Sequence, residues 1–138
     1  MVDKWQKAFM ESARHFGKLS SARRAQVGAV IVKDRTIISV GYNGMPSGWD
    51  NVCEIPGEDK TRPEVLHAET NAIAKVARST QSCQDAEIYT TYAPCMDCAK
   101  LIYQSGISKV YYENKHMRTD AGVKFLEQCG IEVEYVPI

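Results

Sequence analysis

Two short fragments carry residue types suited to metal chemistry: His67-Ala68-Glu69 and Pro94-Cys95-Met96-Asp97-Cys98. One imidazole and two thiolates fill three positions of a tetrahedral zinc and leave the fourth for water, the pattern of a catalytic rather than a structural site. Glu69, two residues beyond the imidazole, is then left to move protons. The C-x-x-C spacing puts both sulfurs on one face of a helix, and Pro94 suits the position leading into it. A helix N-terminus also lowers thiol pKa through its dipole and free N–H groups, favouring the thiolates that bind metal. The same logic applied to His67 takes Pro63 as the lead-in and the Ala-rich run 69–77, with apolar residues at 68, 72, 73 and 76, as the helix.

Each fragment alone has a plainer reading. A lone C-x-x-C also suits a redox pair, and a lone His is more often a core or surface residue than a ligand. A four-ligand structural site needs another Cys or His. Cys53, Cys83 and Cys129 are available, but none has a second ligand at helical or knuckle spacing. His15 has no companion either and reads as a helix-face residue.

The elements that must position these fragments follow from periodicity and punctuation. Residues 3–16 read as a helix with Asp3 as N-cap, a stripe of Trp5, Ala8, Phe9, Ser12 and Phe16, and Gly17 as its end. Residues 27–32 and 36–41 read as a hairpin around Lys33-Asp34-Arg35. Residues 43–62 carry Gly and Pro turn signals without periodicity, and a loop of that length is usually functional. After the first metal helix come a strand at 86–92, the second metal helix at 95–105, a strand at 109–112, a helix at 119–129 and an edge-like strand at 131–136. Strands interleaved with helices predict a mixed sheet covered on both faces, a three-layer α/β/α sandwich.

Composition bounds the function. A chain of 138 residues, 44% hydrophobic, fits one domain spanning residues 1–138 with a real core. Its 17 basic and 17 acidic residues balance, which argues against gripping a polynucleotide by its phosphates, while local basic clusters still suit one small phosphate. Without a long apolar run or a signal-peptide pattern, the expected setting is cytoplasmic, with no membrane partner. Five cysteines, two of them claimed by metal, fit a reducing compartment.

The order of these blocks resembles the zinc-dependent cytidine and deoxycytidylate deaminases, whose signature is H-A-E followed by P-C-x-x-C. The similarity runs through Gln26-Val-Gly-Ala-Val-Ile-Val, Gly41-Tyr-Asn-Gly-Met-Pro, His67-Ala-Glu-Thr-Asn-Ala-Ile and Pro94-Cys-Met-Asp-Cys-Ala-Lys-Leu-Ile. The Gly-Tyr-Asn-Gly-x-Pro block points to the deoxynucleotide branch. The resemblance implies a five-stranded mixed sheet, catalytic Zn2+ on His67, Cys95 and Cys98, and Glu69 as the proton carrier in hydrolysis of dCMP to dUMP. Runner-up substrates are dCTP, alone or beside dCMP, and free deoxycytidine. Asn43 and the Ala68 amide would bond the substrate, and Tyr92 would pack on its ring, with core filling an equal reading. Arg24 and Arg118, with Arg23, are the phosphate candidates. This chain has Ala22-Arg-Arg-Ala where the family carries Asp-Pro and a small polar residue. The resemblance further implies a homo-hexamer activated by dCTP and inhibited by dTTP. The effector would lie near Gly41, Asn43, Gly44, Met45, Pro46 and Gly48, with Mg2+ helped by Asp50 or Glu54, which makes 43–62 a regulatory loop. The competing class is a non-catalytic nucleotide-sensing or zinc-structural module on the same fold.

Overall fold

The computed structural model describes residues 2–138. In chain order the elements are α1 (Lys4–Gly17), β1 (Gly28–Lys33), β2 (Thr36–Tyr42), α2 (Ala68–Ala77), β3 (Glu87–Tyr92), α3 (Met96–Gln104), β4 (Lys109–Asn114), α4 (Ala121–Gln128) and β5 (Glu132–Tyr135). The strands form one mixed sheet in the order β2-β1-β3-β4-β5, with β1 antiparallel to both its neighbours and β3, β4 and β5 parallel. Parallel neighbours need crossovers, and α3 and α4 supply them. One face buries Ala72, Val76, Ile102 and Leu126 of α2, α3 and α4 with Ile31, Ile88 and Val110 of the sheet. The other packs Phe9, Met10 and Ala13 of α1 against Val30, Tyr89 and Tyr111. The result is the expected α/β/α sandwich.

α1 begins where expected, at Asp3, whose carboxylate accepts from the Trp5 and Gln6 amides in a capping box with Gln6. Its buried face is not the expected stripe: Phe9, Met10, Ala13 and Gly17 are buried, while Trp5 is 39% exposed and Ala8 lies open to solvent. The cause is close backbone packing, since a Cβ on Gly28 would overlap the Ala13 carbonyl, so the helix rests on its small residues. Trp5 instead stacks under the Arg35 guanidinium, 4.9 Å from its ring centroid. The hairpin connection is shorter than the sequence suggested. Lys33 pairs with Thr36, leaving Asp34 and Arg35 at φ 51° and 59°, as a type I′ turn requires.

The sheet brings the chemistry-bearing segments to one end. Gly28 at the start of β1 pairs with Tyr42 at the end of β2, and Tyr92 at the end of β3 lies beside Asn114 at the end of β4. Both α2 and α3 begin at this end, the position where open α/β sheets bind ligands. Between β2 and α2 the chain forms neither helix nor strand, only the isolated bridges Gly44–Leu66 and Glu54–Thr61. Pro63 sits in a turn of this loop and does not lead α2; His67 is the N-cap. Among the described residues no helix is long and apolar enough to cross a membrane.

Candidate active site

Two helix N-termini meet at the sheet end. His67 is the N-cap of α2 and Cys95 the N-cap of α3, both in extended backbone, while Cys98 lies in the first turn of α3. Cys95 therefore stands just outside the helix rather than on its face with Cys98. The sulfurs still converge on one imidazole: His67 Nδ1 is 3.2 Å from Cys98 Sγ and 3.6 Å from Cys95 Sγ. All three candidate ligand atoms lie within 4.8 Å of one another, the one such group among the described residues. Tetrahedral zinc with nitrogen at about 2.0 Å and sulfur at about 2.3 Å holds those atoms about 3.5 Å apart, so spacing and donor chemistry both fit the ion.

The Cys98 thiol beside Cys95 and the His67 imidazole hold Cys95 down to about 3, against a smaller opposing effect of burial. Hydrogen bonding to Cys95 and then burial push Cys98 in the opposite direction. Contact with Cys95 raises His67. Thr70 Oγ1, one turn into α2, lies 3.7 Å from Cys98 Sγ.

Glu69 is 4% exposed in the first turn of α2. Burial pushes its carboxyl up to about 7, opposed by its own backbone N–H and by His67. A carboxyl balanced near neutrality is suited to taking a proton and returning it. It borders an inner cavity of about 170 Å³ whose walls include Val27, Asn43, Ala68, Tyr92 and Ala93. This opens beside a wider cavity of about 770 Å³ lined by Arg24, Lys60 and Arg118. Asn43, Thr61, His67, His116 and Met117 border both.

The structure gathers Glu69, Ala68, Tyr92 and Asn43 at the inner cavity and Arg24 and Arg118 at the outer one. Tyr92 is half-buried and borders the cavity. Asn43 is less free than the sequence suggested. Its Oδ1 accepts from Val27 N at 2.9 Å and its Nδ2 donates to Ala25 O at 2.8 Å, leaving one N–H and one lone pair. Arg24 lies 3.7 Å from Asp59, while Arg23 pairs with Glu54 and stays away from both cavities.

The residues of the expected effector block have varied local settings. Gly41 lies in β2, where a Cβ would overlap the Ala68 carbonyl, so its lack of a side chain lets β2 pack against α2. Gly44 bridges Leu66. Met45 and Pro46 lead into a turn in which Trp49 N donates to Pro46 O and Gly48 takes φ 86°. Glu54 and Asp50, the alternatives expected to help Mg2+, each have partners within the protein. Glu54 is buried and accepts the amides of Arg23 and Arg24, and Asp50 accepts from Val52 N and Arg62. His116, Met117, Thr61 and Val65 also line the inner cavity, from two loops whose sequence carries no periodic signal.

The family model described as the cytidine and deoxycytidylate deaminase zinc-binding region matches residues 3–114. A deaminase of unassigned role from Aliivibrio fischeri is 36% identical over 146 residues, covering 100% of this chain and 97% of its own. Deoxycytidylate deaminase of Enterobacteria phage T4 is 35% identical, covering 81% of this chain and 79% of its own. The crystal structure of dCMP deaminase from cyanophage S-TIM5 in complex with dCMP and dUMP superposes with a TM-score of 0.93 at 43% identity, over 99% of both chains. With its ligand-spaced His and Cys pair set in that fold, this chain belongs to the cytidine and deoxycytidylate deaminase zinc-binding family.

Proposed function

We propose that the protein is a zinc-dependent deaminase that hydrolyses dCMP to dUMP and ammonia. The observation that carries this reading is the buried Glu69 carboxyl on the wall of the inner cavity, two residues from His67 in the ligand cluster. His67, Cys95 and Cys98 would hold the ion, which when bound supplies a Lewis acid that brings the pKa of water towards neutrality. Glu69 accepts a proton from the attacking water and delivers it to the ring nitrogen beside the amine, which makes C4 electrophilic. After C4–O bond formation the carboxylate takes the remaining proton of the C4 hydroxyl and passes it to the amine, so that the C4–N bond breaks, the water oxygen becomes the new carbonyl oxygen and one ammonia leaves. The Ala68 amide, at the uncapped N-terminus of α2, donates to the pyrimidine carbonyl, and Tyr92 and Val27 pack on the ring.

The wider cavity suits the sugar and phosphate, because Arg24, Lys60 and Arg118 border it. Its size also leaves room for dCTP as a second substrate. Ammonia release by the zinc-loaded protein, compared across dCMP, dCTP and deoxycytidine, tests the reading. The expected order places dCMP first, and zinc binding without release from any of the three would assign the fold to a non-catalytic role.

Control by dCTP and dTTP in a homo-hexamer belongs to the same reading, and one physical link supports it. Asn43 borders the inner cavity, while its neighbour Gly44 bridges Leu66 at the root of the long loop, so movement of that loop reaches the substrate wall. Sigmoidal dependence on dCMP, relieved by dCTP and deepened by dTTP, is expected. Hyperbolic kinetics unaffected by either triphosphate in an oligomeric, zinc-loaded sample would overturn it.

A further inference from the structure

The loop between β4 and α4 borders both cavities, and it begins where the match to the family model ends, at residue 114. Half-buried His116 lies in this loop at the junction. It borders the inner cavity with Glu69 and Tyr92, and the outer one with Arg24, Lys60 and Arg118. Its ring is anchored on one side, because the backbone N–H groups of Arg118 and Thr119 both donate to Nδ1, at 3.1 and 3.3 Å. A ring nitrogen that accepts carries no proton, so the ring hydrogen is on Nε2. With Nδ1 turned to the backbone, the edge left for the cavities is the donor edge.

We propose that His116 is a specificity residue that donates its Nε2–H to the 5′-phosphate of the bound nucleotide where the inner and outer cavities meet. This rests on the dCMP reading above. The base does not need this donor, since Ala68 and Glu69 line the inner cavity, whereas the outer wall carries three basic side chains, Arg24, Lys60 and Arg118, against one carboxylate, Asp59, which lies 3.7 Å from Arg24. Arg118 has no ion-pair partner among the described residues, and its backbone is held by the same imidazole. His116 thus acts twice, once directly on the phosphate and once by positioning Arg118.

The two actions separate by isosteric replacement. His116→Asn keeps an acceptor near the Nδ1 position and removes the distal donor; His116→Gln places an N–H near the Nε2 position and removes the proximal acceptor. A hydrogen bond to a charged group is worth at least about tenfold in affinity. His116→Asn is therefore expected to raise KM for dCMP by at least about that factor and by far more than it raises KM for deoxycytidine, while His116→Gln keeps more of the preference for the nucleotide. The reverse order, with Asn rescuing and Gln failing, would reduce His116 to a loop anchor and overturn the proposal. Equal losses on both substrates would do the same. If the wild-type protein turns over no dCMP, the reaction fails but the site is still tested, by calorimetric binding of dUMP against deoxyuridine. A preference for dUMP lost in His116→Asn supports the proposal; a preference left intact, or absent from the wild type, overturns it.

Discussion

Gly122→Ala should damage the metal site from outside it. Gly122 is buried in the first turn of α4, where a Cβ would overlap the Pro94 carbonyl oxygen and lie 2.8 Å from the carbonyl carbon and oxygen of Cys95. Carbon atoms rest at about 3.5–4.0 Å, so relief needs about 1 Å of movement by α4 or by the Pro94-Cys95 backbone. Neither neighbour is a side chain that can rotate away. Alanine gains up to about 1 kcal/mol over glycine inside a helix, against about 1–3 kcal/mol for overpacking, and the backbone clash favours the upper part of that range. The net expectation is a loss of about 1–2 kcal/mol, a fall in Tm of roughly 3–8 °C for a chain of this size. Because Cys95 is the residue displaced, zinc affinity should also fall by roughly 10-fold or more, as when a metal ligand loses its support. Thermal unfolding and chelator competition measure the two effects. Gly44→Ala is the control, since a Cβ there meets nothing within 4 Å. Unchanged Tm and zinc affinity in Gly122→Ala would refute this account of how α4 seats the ligand.

Glu54 gives the chain an acid-sensitive stability. Burial acts to raise its carboxyl, but the Arg23 and Arg24 amides and the Arg23 guanidinium outweigh that and hold it below its ordinary range. Its contribution is therefore full above the unfolded carboxylate pKa and lost as pH falls through the lower folded value. Glu54→Gln should flatten the decline of Tm with acid, and parallel Tm curves for the two proteins would contradict this. At the outer cavity, Arg24→Glu or Arg118→Glu should raise KM for dCMP far more than for deoxycytidine. Equal effects on both substrates would move the phosphate elsewhere.

The sequence showed most where chemistry and local pattern coincide. His67, Glu69, Cys95 and Cys98 were legible because ligand types at close spacing have few other uses, and the element order followed from turns and periodicity. The buried face of α1 was not, because the helix is seated by Gly17, Gly28 and Ala13, and apolar periodicity is blind to small residues that let backbones touch. The packing role of Gly41 was hidden for a related reason: a glycine beside a turn-rich block does not show in sequence that it makes room for α2. Glu54 and Asn43 read as solvent- or ligand-facing polar groups until the fold supplied backbone partners far away in the chain. His116 had no local signal at all. Its importance comes from the junction at which the β4–α4 loop ends up, which only the packed sheet reveals.

Ammonia release from dCMP by zinc-loaded wild-type and Glu69→Gln proteins decides whether Glu69 moves the proton in zinc-dependent deamination. Glutamine keeps the shape of the side chain and leaves His67, Cys95 and Cys98 untouched, so zinc content should be equal in the two samples. The wild type is expected to release one ammonia per dUMP formed, with turnover roughly 10²–10⁴-fold lower in the variant. Turnover by Glu69→Gln within about tenfold of wild type, at equal zinc, would contradict proton transfer by Glu69.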